Sequence, residues 1–338
     1  MGLDTWIVDH YVDGTLPVPG LAMQFVLHAY LDIWLRLEAL VGRATDAPQA
    51  TEEIAARSRE LMEVHYNLPL PMFSSFLGNS MKYSMGLWET GARTLDEAQE
   101  AMLADVCAKA EIQDGQRILD IGCGFGSFAA HVLRHYPNAH VCGLTLSRTQ
   151  ANYMRERQAE AGHPLSTNRF SLVEGDFNDA SFEESFDRMV SLGVFEHISN
   201  LDRALEKIRG FLTPEGRCFL HYIAFQPRGS DTDAPRQDPF MDRYVFPGGR
   251  VWAMSELAKH QQHFHIEREW YLSGTNYKRT LQAWLANFQR NQGHIREDSG
   301  LSMRQLRLWE FYLRACIATF ALRGGRHIGN GQYLLRPI

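Results

Sequence analysis

The run Ile118-Leu119-Asp120-Ile121-Gly122-Cys123-Gly124-Phe125-Gly126 carries an acid and three glycines at two-residue spacing. The apolar residues before the glycines read as a β-strand and Ser127 onward as a helix, so the glycines form a strand-to-helix turn. Glycine lets the backbone turn tightly and approach a ligand with no Cβ in the way. The helix behind it offers free N–H groups, which favour an anionic group such as a carboxylate. The pattern is D-x-G-x-G-x-G, not the G-x-G-x-x-G of dinucleotide sites. It points to S-adenosylmethionine, and so to methyl transfer rather than hydride transfer. Asp120, Gly122, Gly124 and Gly126 are the candidate cofactor residues.

Three further segments bear on that chemistry. The stretch Val141-Cys142-Gly143-Leu144-Thr145-Leu146-Ser147 has no acid at its end, where one commonly bonds both ribose hydroxyls. Thr145 takes the place, with Gln150 one turn on; together they can bond ribose and the amino-acid tail, or else cap and solvate a helix. In Gly175-Asp176-Phe177, Asp176 is placed to accept from an adenine amino group and Phe177 to lie against the ring; a simple turn aspartate is the alternative. In Gly193-Val194-Phe195-Glu196-His197, a carboxylate stands beside an imidazole. Such a pair can accept a substrate proton near neutral pH, or it can cap a helix and bond backbone.

Positioning these groups takes a sheet with crossover helices. Strand patterns occur at Arg117–Ile121, Ala139–Leu144, Phe170–Val173, Arg188–Leu192 and Cys218–Ile223, with helices centred on Ala130, Tyr153 and Leu205 between them. This alternation predicts a doubly wound, mostly parallel α/β sheet of Rossmann type, whose ligand crevice lies outside the carboxyl ends of the strands. Thr94-Leu95-Asp96-Glu97 is a capping box for a helix to about Ala110, and Pro214-Glu215-Gly216 reads as the turn before the fifth strand. Residues 1–65 read as helical, broken near Thr45-Asp46-Ala47-Pro48 and restarting at Thr51. His65 to Glu89 reads as irregular but ordered. After a polar stretch from Gln226 to Gly249 come a strand at Phe264–Leu272, helices at Thr280–Gln292 and Met303–Leu322, and a short strand at Gln332–Leu335. The expected organisation is a helical extension (1–80), a cofactor-binding core (81–225), and a substrate-covering insertion with closing strands and helices (226–338).

A chain of 338 residues with 45% hydrophobic and 22% charged residues can bury a full core. Its net charge of −6 argues against a nucleic-acid footprint. Five scattered cysteines without a C-x-x-C argue against a disulfide framework or zinc site and fit a reducing cytoplasm. The acidic start Met1-Gly2-Leu3-Asp4 lacks the plan of a signal peptide. From Leu21 to Val41 nearly every residue is apolar, with Gln24, His28, Asp32 and Arg36 spaced four apart. That makes a helix with a narrow polar stripe, too polar for a clean membrane span. It reads as a core or subunit-interface helix of a homodimer, or as a lid or lipid-contacting surface.

Taken together, several motifs resemble one family. Tyr83-Ser84 and Trp88, Thr94 to Gln99, the glycine turn, Gly143-Leu144-Thr145-Leu146-Ser147 with Gln150, and Phe195-Glu196-His197 resemble the cyclopropane-fatty-acid synthase superfamily of class I S-adenosylmethionine-dependent methyltransferases. Within it, His65-Tyr66-Asn67-Leu68-Pro69, Tyr244 to Gly249, Leu272-Ser273-Gly274, Tyr277, Thr280 and Trp284 resemble the coclaurine N-methyltransferases. The resemblance implies a seven-stranded sheet and cofactor contacts at Tyr83, Ser84, Gly122, Gly124, Thr145, Gln150 and Asp176. It leaves two chemistries. In the N-methyltransferases, the residues matching Glu196 and His197 serve an amine, although some carry a glutamate where this chain has Gly193. In the cyclopropane synthases, an alkene is methylated and bicarbonate takes a proton. The bicarbonate site matches Glu196, His221, Ile223 and Tyr277, with Met85 in place of a cysteine. The expectation is N-methylation of a small, largely apolar amine, releasing S-adenosylhomocysteine. The alternatives are methylation or cyclopropanation of an unsaturated lipid-like chain, and a non-catalytic cofactor-binding scaffold.

Overall fold

The computed structural model describes residues 3–16, 18–41, 51–226 and 239–338. Two helices open the chain, α1 (Leu3–Asp13) and α2 (Gly20–Val41), followed by the short α3 (Ser58–Leu61), a π-helical turn (Met62–Tyr66) and α4 (Leu70–Ser74). The helix expected from Thr51 starts only at Ser58; residues 51–57 are turns and bends. The break expected at Thr45–Pro48 lies outside the described residues. The predicted capping box starts α5 (Leu95–Lys109): Glu97 N–H donates to Thr94 Oγ1, and the Glu97 carboxylate accepts from Thr94 N–H.

Strands and helices then alternate as β1 (Arg117–Ile121), α6 (Ser127–His135), β2 (His140–Thr145), α7 (Arg148–Ala159), β3 (Phe170–Glu174), β4 (Phe186–Leu192), α8 (Leu201–Phe211) and β5 (Leu212–Phe225). After α9 (Pro239–Tyr244) come β6 (Trp252–Ala253), β7 (Phe264–Leu272), α10 (Gly274–Ser299), α11 (Met303–Ala321) and β8 (Ile328–Pro337). The order across the sheet is β3-β2-β1-β4-β5-β8-β7, with β1 to β5 parallel and β8 antiparallel to both neighbours. This is the class I methyltransferase fold. The sheet has eight strands rather than the expected seven. The eighth is β6, whose two residues pair with Ala224 and Phe225 at the end of β5; two residues leave no periodic signal in a sequence. Pro214-Glu215-Gly216 is not the turn before β5 but lies within it. Leu212 pairs with Phe186, the chain bulges, and pairing resumes at Arg217 opposite Arg188.

Alternate strand residues pack two cores. Leu119, Ile121, Met189 and Leu220 belong to one face of the sheet; Ile118, Val141, Val190 and Phe219 belong to the other. A third core, around Phe73, Phe76, Trp284, Phe288 and Leu313, joins the N-terminal helices to α10 and α11. It holds residues 65–89, expected to be irregular but carrying the short α4 (Leu70–Ser74), over the carboxyl ends of the strands. Helix α2 packs on α11 and leaves Leu21, Phe25, Val26 and Ile33 exposed. No helix among the described residues is long and apolar enough to cross a membrane. The order of strands reverses between β1 and β4, and the functional cleft opens at that switch point.

Candidate active site

The glycine turn forms the floor of the cleft. Gly122, Gly124 and Gly126 all have positive φ, a conformation most side chains avoid. At Gly122 a Cβ would sit 2.2 Å from Val194 Cγ2, so the turn and the wall after β4 touch only because no side chain is there. Gly126 caps α6 and packs on Leu165 and Met154 rather than lining the cleft. Tyr83, Ser84, Asp120, Gly122, Gly124, Thr145, Gln150, Asp176 and Phe177 all line it. Asp120 is buried, and its Oδ2 has no hydrogen-bond partner among the described residues. Burial pushes its carboxyl up to about 8, which suits a group awaiting a cationic partner such as the ammonium of an amino-acid tail.

On the β2 side, Thr145 Oγ1 donates to Gln150 Oε1 at 2.7 Å. That bond occupies the Gln150 oxygen and leaves its Nε2 as the donor available to a ligand. Asp176 accepts from Ser58 Oγ (2.6 Å) at one oxygen and from the Asn178 backbone N–H (2.8 Å) at the other, so α3 is tied to the end of β3. Ser58, which also lines the cleft, has no signal in its local sequence; its partner lies more than a hundred residues away.

Glu196 and His197 are adjacent in the 3-10 turn after β4, yet they diverge. His197 lines the cleft, with its Nε2 3.1 Å from Tyr66 Oη. Burial holds its imidazole down to about 4, so it is neutral at ordinary pH. Tyr66 belongs to the π-helical turn, a distortion common at functional sites, and its sequence carries no signal beyond its place in the 65–69 motif. Glu196 turns toward β5. Its Oε1 accepts the Ile223 N–H at 2.7 Å, and its Oε2 is buried with no partner among the described residues. Burial, opposed by that hydrogen bond, pushes the carboxyl up to about 7. The charge on Glu196 bears on Tyr66 and Tyr277, whose phenols burial also raises. Tyr277 stacks on Phe320 and stands edge-on to Trp284. His197 meets Phe246, and Tyr66 stands edge-on to Tyr83. The acid therefore sits among aromatic rings.

The Mycolic acid cyclopropane synthetase family profile matches residues 54–325. The chain belongs to this family. It is 32% identical over 261 residues to the cyclopropane-fatty-acyl-phospholipid synthase of Escherichia coli K12, covering 77% of this chain and 64% of that one. It is 30% identical over 234 residues to the probable (S)-tetrahydroprotoberberine N-methyltransferase 2 of Papaver bracteatum, covering 69% and 64%. The matches thus span just under two thirds of the length of these relatives. In overall shape the chain is similar to a coclaurine N-methyltransferase solved with N-methylheliamine and SAH, with a TM-score of 0.86 at 22% identity over 99% of this chain and 100% of that one.

The cyclopropane synthetase family raises the question of whether bicarbonate fits here. Gln332 Oε1 accepts from Lys109 Nζ (2.6 Å), so its Nε2 faces His221 Nδ1 (3.1 Å) and donates to it. The other ring nitrogen, Nε2, stands 3.1 Å from Asn330 Nδ2 on the same strand. Both ring nitrogens are thus taken by β8. The Ile223 N–H is held by Glu196, and the Met85 carbonyl accepts from Lys82. Of the donors that the bicarbonate pattern assigns to a small anion, the His221 ring and the Ile223 N–H are engaged within the protein, while Tyr277 stands among aromatic rings. The residues lining the cleft do fit S-adenosylmethionine: Asp120, whose Oδ2 has no partner among the described residues, for its ammonium, the Gln150 amide, and Asp176 with Phe177 for a purine.

Proposed function

We propose that this protein is an S-adenosylmethionine-dependent methyltransferase that acts on the nitrogen of a small, largely apolar amine. The observation that carries the reading is Glu196, a buried carboxyl near aromatic rings, one of whose oxygens has no partner among the described residues. A protonated amine supplies the missing partner; an alkene does not.

When bound, the cofactor supplies an electrophilic methyl group. Asp120, Ser84, Gln150, Asp176 and Phe177 are the residues that would hold it. Glu196, poised near neutral pH, takes the proton from the substrate ammonium and exposes the nitrogen lone pair. Neutral His197, set by Tyr66, orients that nitrogen without competing for a charge. The aromatic walls exclude water and favour the cationic amine. Positioning accounts for most of the rate, because in-line transfer needs few other groups. Cytoplasmic location and a homodimer through the exposed face of α2 belong to the same proposal; the apolar residues at that face support the dimer.

A screen with methyl-labelled S-adenosylmethionine against amines and unsaturated lipids tests the reading. Label on an amine nitrogen, lost by orders of magnitude in Glu196→Ala, is the expected result. Label on alkene carbon alone would overturn it.

A further inference from the structure

Lys82 is a buried lysine with no acid to meet it among the described residues. It is 2% exposed, and its Nζ donates to Ser84 Oγ (2.6 Å) and to the Met85 carbonyl oxygen (2.7 Å). Among the described residues no carboxylate forms an ion pair with it, and burial alone holds its ammonium down to about 7. The loop around it is pinned by Gln99, whose Nε2 donates to the carbonyls of Leu77 and Lys82. A buried charge without a counter-charge is unfavourable unless something pairs with it, and neither a hydroxyl nor a carbonyl does so fully.

The direction of the hydrogen bond matters. An ammonium has hydrogens to give and no lone pair. Ser84 must accept from it, so the serine's own hydrogen points elsewhere. Ser84 lines the cleft beside Gly193, where a Cβ would meet only the Ser84 Cβ, at 3.9 Å. A neutral amine could instead accept from the serine and cancel this polarity.

We propose that Lys82 is a positioning residue: it fixes Ser84 as a donor into the cleft and places a buried positive charge behind that hydroxyl, which favours the carboxylate of the cofactor's amino-acid tail. The inference rests on the methyltransferase reading. Few other charges bear on the spot. His221 on β5, within electrostatic reach of Lys82 and of Lys109 on α5, is held neutral by burial. Lys109 is paired with Asp105. On the cleft side stands Asp120, which meets the opposite end of the amino acid and shifts binding with pH in the opposite sense.

The test is calorimetric binding to the full chain of S-adenosylhomocysteine and of 5′-methylthioadenosine, which lacks the amino-acid tail. Lys82→Met should weaken S-adenosylhomocysteine about tenfold or more at pH 6.5 and leave methylthioadenosine within about twofold, the size expected for a charged hydrogen bond. From pH 6 to 8.5 the wild-type advantage over Lys82→Met should shrink as the amine loses its proton. Lys82→Gln, a milder change should Lys82→Met fold poorly, should show the same selective loss. Equal losses for both ligands, or unchanged S-adenosylhomocysteine affinity in either variant, would overturn the role of Lys82. A wild type that binds neither ligand would instead remove the methyltransferase reading, and this one with it.

Discussion

Glu196→Gln should make the protein more stable and less active. Glu196 is 7% exposed, with one oxygen bonded and the other stranded. Its carboxyl titrates near 7 in the fold against an ordinary value of 4.5. An acid whose folded pKa is raised binds more protons folded than unfolded. The fold therefore loses stability as pH climbs from about 4.5 to about 7, and it carries the full penalty above. At about 1.4 kcal/mol per pH unit, the gap amounts to roughly 3 kcal/mol. Glutamine keeps the shape and an oxygen for the Ile223 N–H. Its amide replaces the stranded oxygen with a stranded donor, at about 1 kcal/mol whatever the pH. The variant should gain on wild type by about 3 kcal/mol between pH 4.5 and pH 8. At pH 8 that leaves a net advantage of about 2 kcal/mol, or a few degrees in thermal midpoint. Thermal unfolding of both proteins at the two pH values reads this directly. A midpoint difference that does not change with pH would refute the reasoning. Methyl transfer by the same variant should fall by about 10²–10⁴, the usual contribution of a general base. Wild-type activity should rise with pH through about 7, a limb absent from the variant; His197, neutral throughout, adds none.

Gly122→Ala, at φ +72 and 2.2 Å from Val194 Cγ2, should destabilise the ligand-free protein by about 2–4 kcal/mol in thermal unfolding. Gly124→Ala, at φ +57 with nothing within 4 Å, should cost only about 1–2 kcal/mol yet weaken S-adenosylhomocysteine at least tenfold by calorimetry. Tyr66→Phe removes the hydroxyl 3.1 Å from His197 Nε2 and should lower kcat about tenfold with cofactor affinity unchanged. Thr280→Val strands the Gly86 N–H and the Trp88 Nε1–H, which Thr280 Oγ1 accepts at 3.0 and 2.9 Å; denaturant unfolding should show a loss of about 2–4 kcal/mol. Stripping carbonate from the buffer should leave the initial rate unchanged, since His221 and Ile223 are already engaged; a fall would restore the bicarbonate route.

What could be read from the sequence is what repeats locally. The β1 glycine turn, the alternation through β5 and the bounds of β7 follow from patterns within ten or fifteen residues, and so does the capping box at Thr94. The two-residue β6 and the late start of α3 do not, because distant partners set them. The same division runs through the site. Glu196 and His197 were legible as a pair, but not their divergence, which depends on Ile223 offering its N–H from β5 and Tyr66 its hydroxyl from a π-helical turn. The Ser58–Asp176 bond and the amides that hold His221 are likewise long-range. Lys82 looks like any surface lysine until Ser84, Met85 and Gln99 fold around it.

The antiparallel β8 lies between β5 and β7, and its register with β5 joins residues more than a hundred positions apart in the chain. Until residues 328–337 arrive, β5 has one open edge, the kind of surface that recruits other chains. During synthesis the nascent protein must therefore carry a finished nucleotide fold with an unprotected flank while α10 and α11 are still emerging. Asn330 and Gln332, which set the His221 ring, come with that last strand. Placement of that buried imidazole thus becomes a late event in maturation, and chains cut short before β8 should aggregate rather than work slowly.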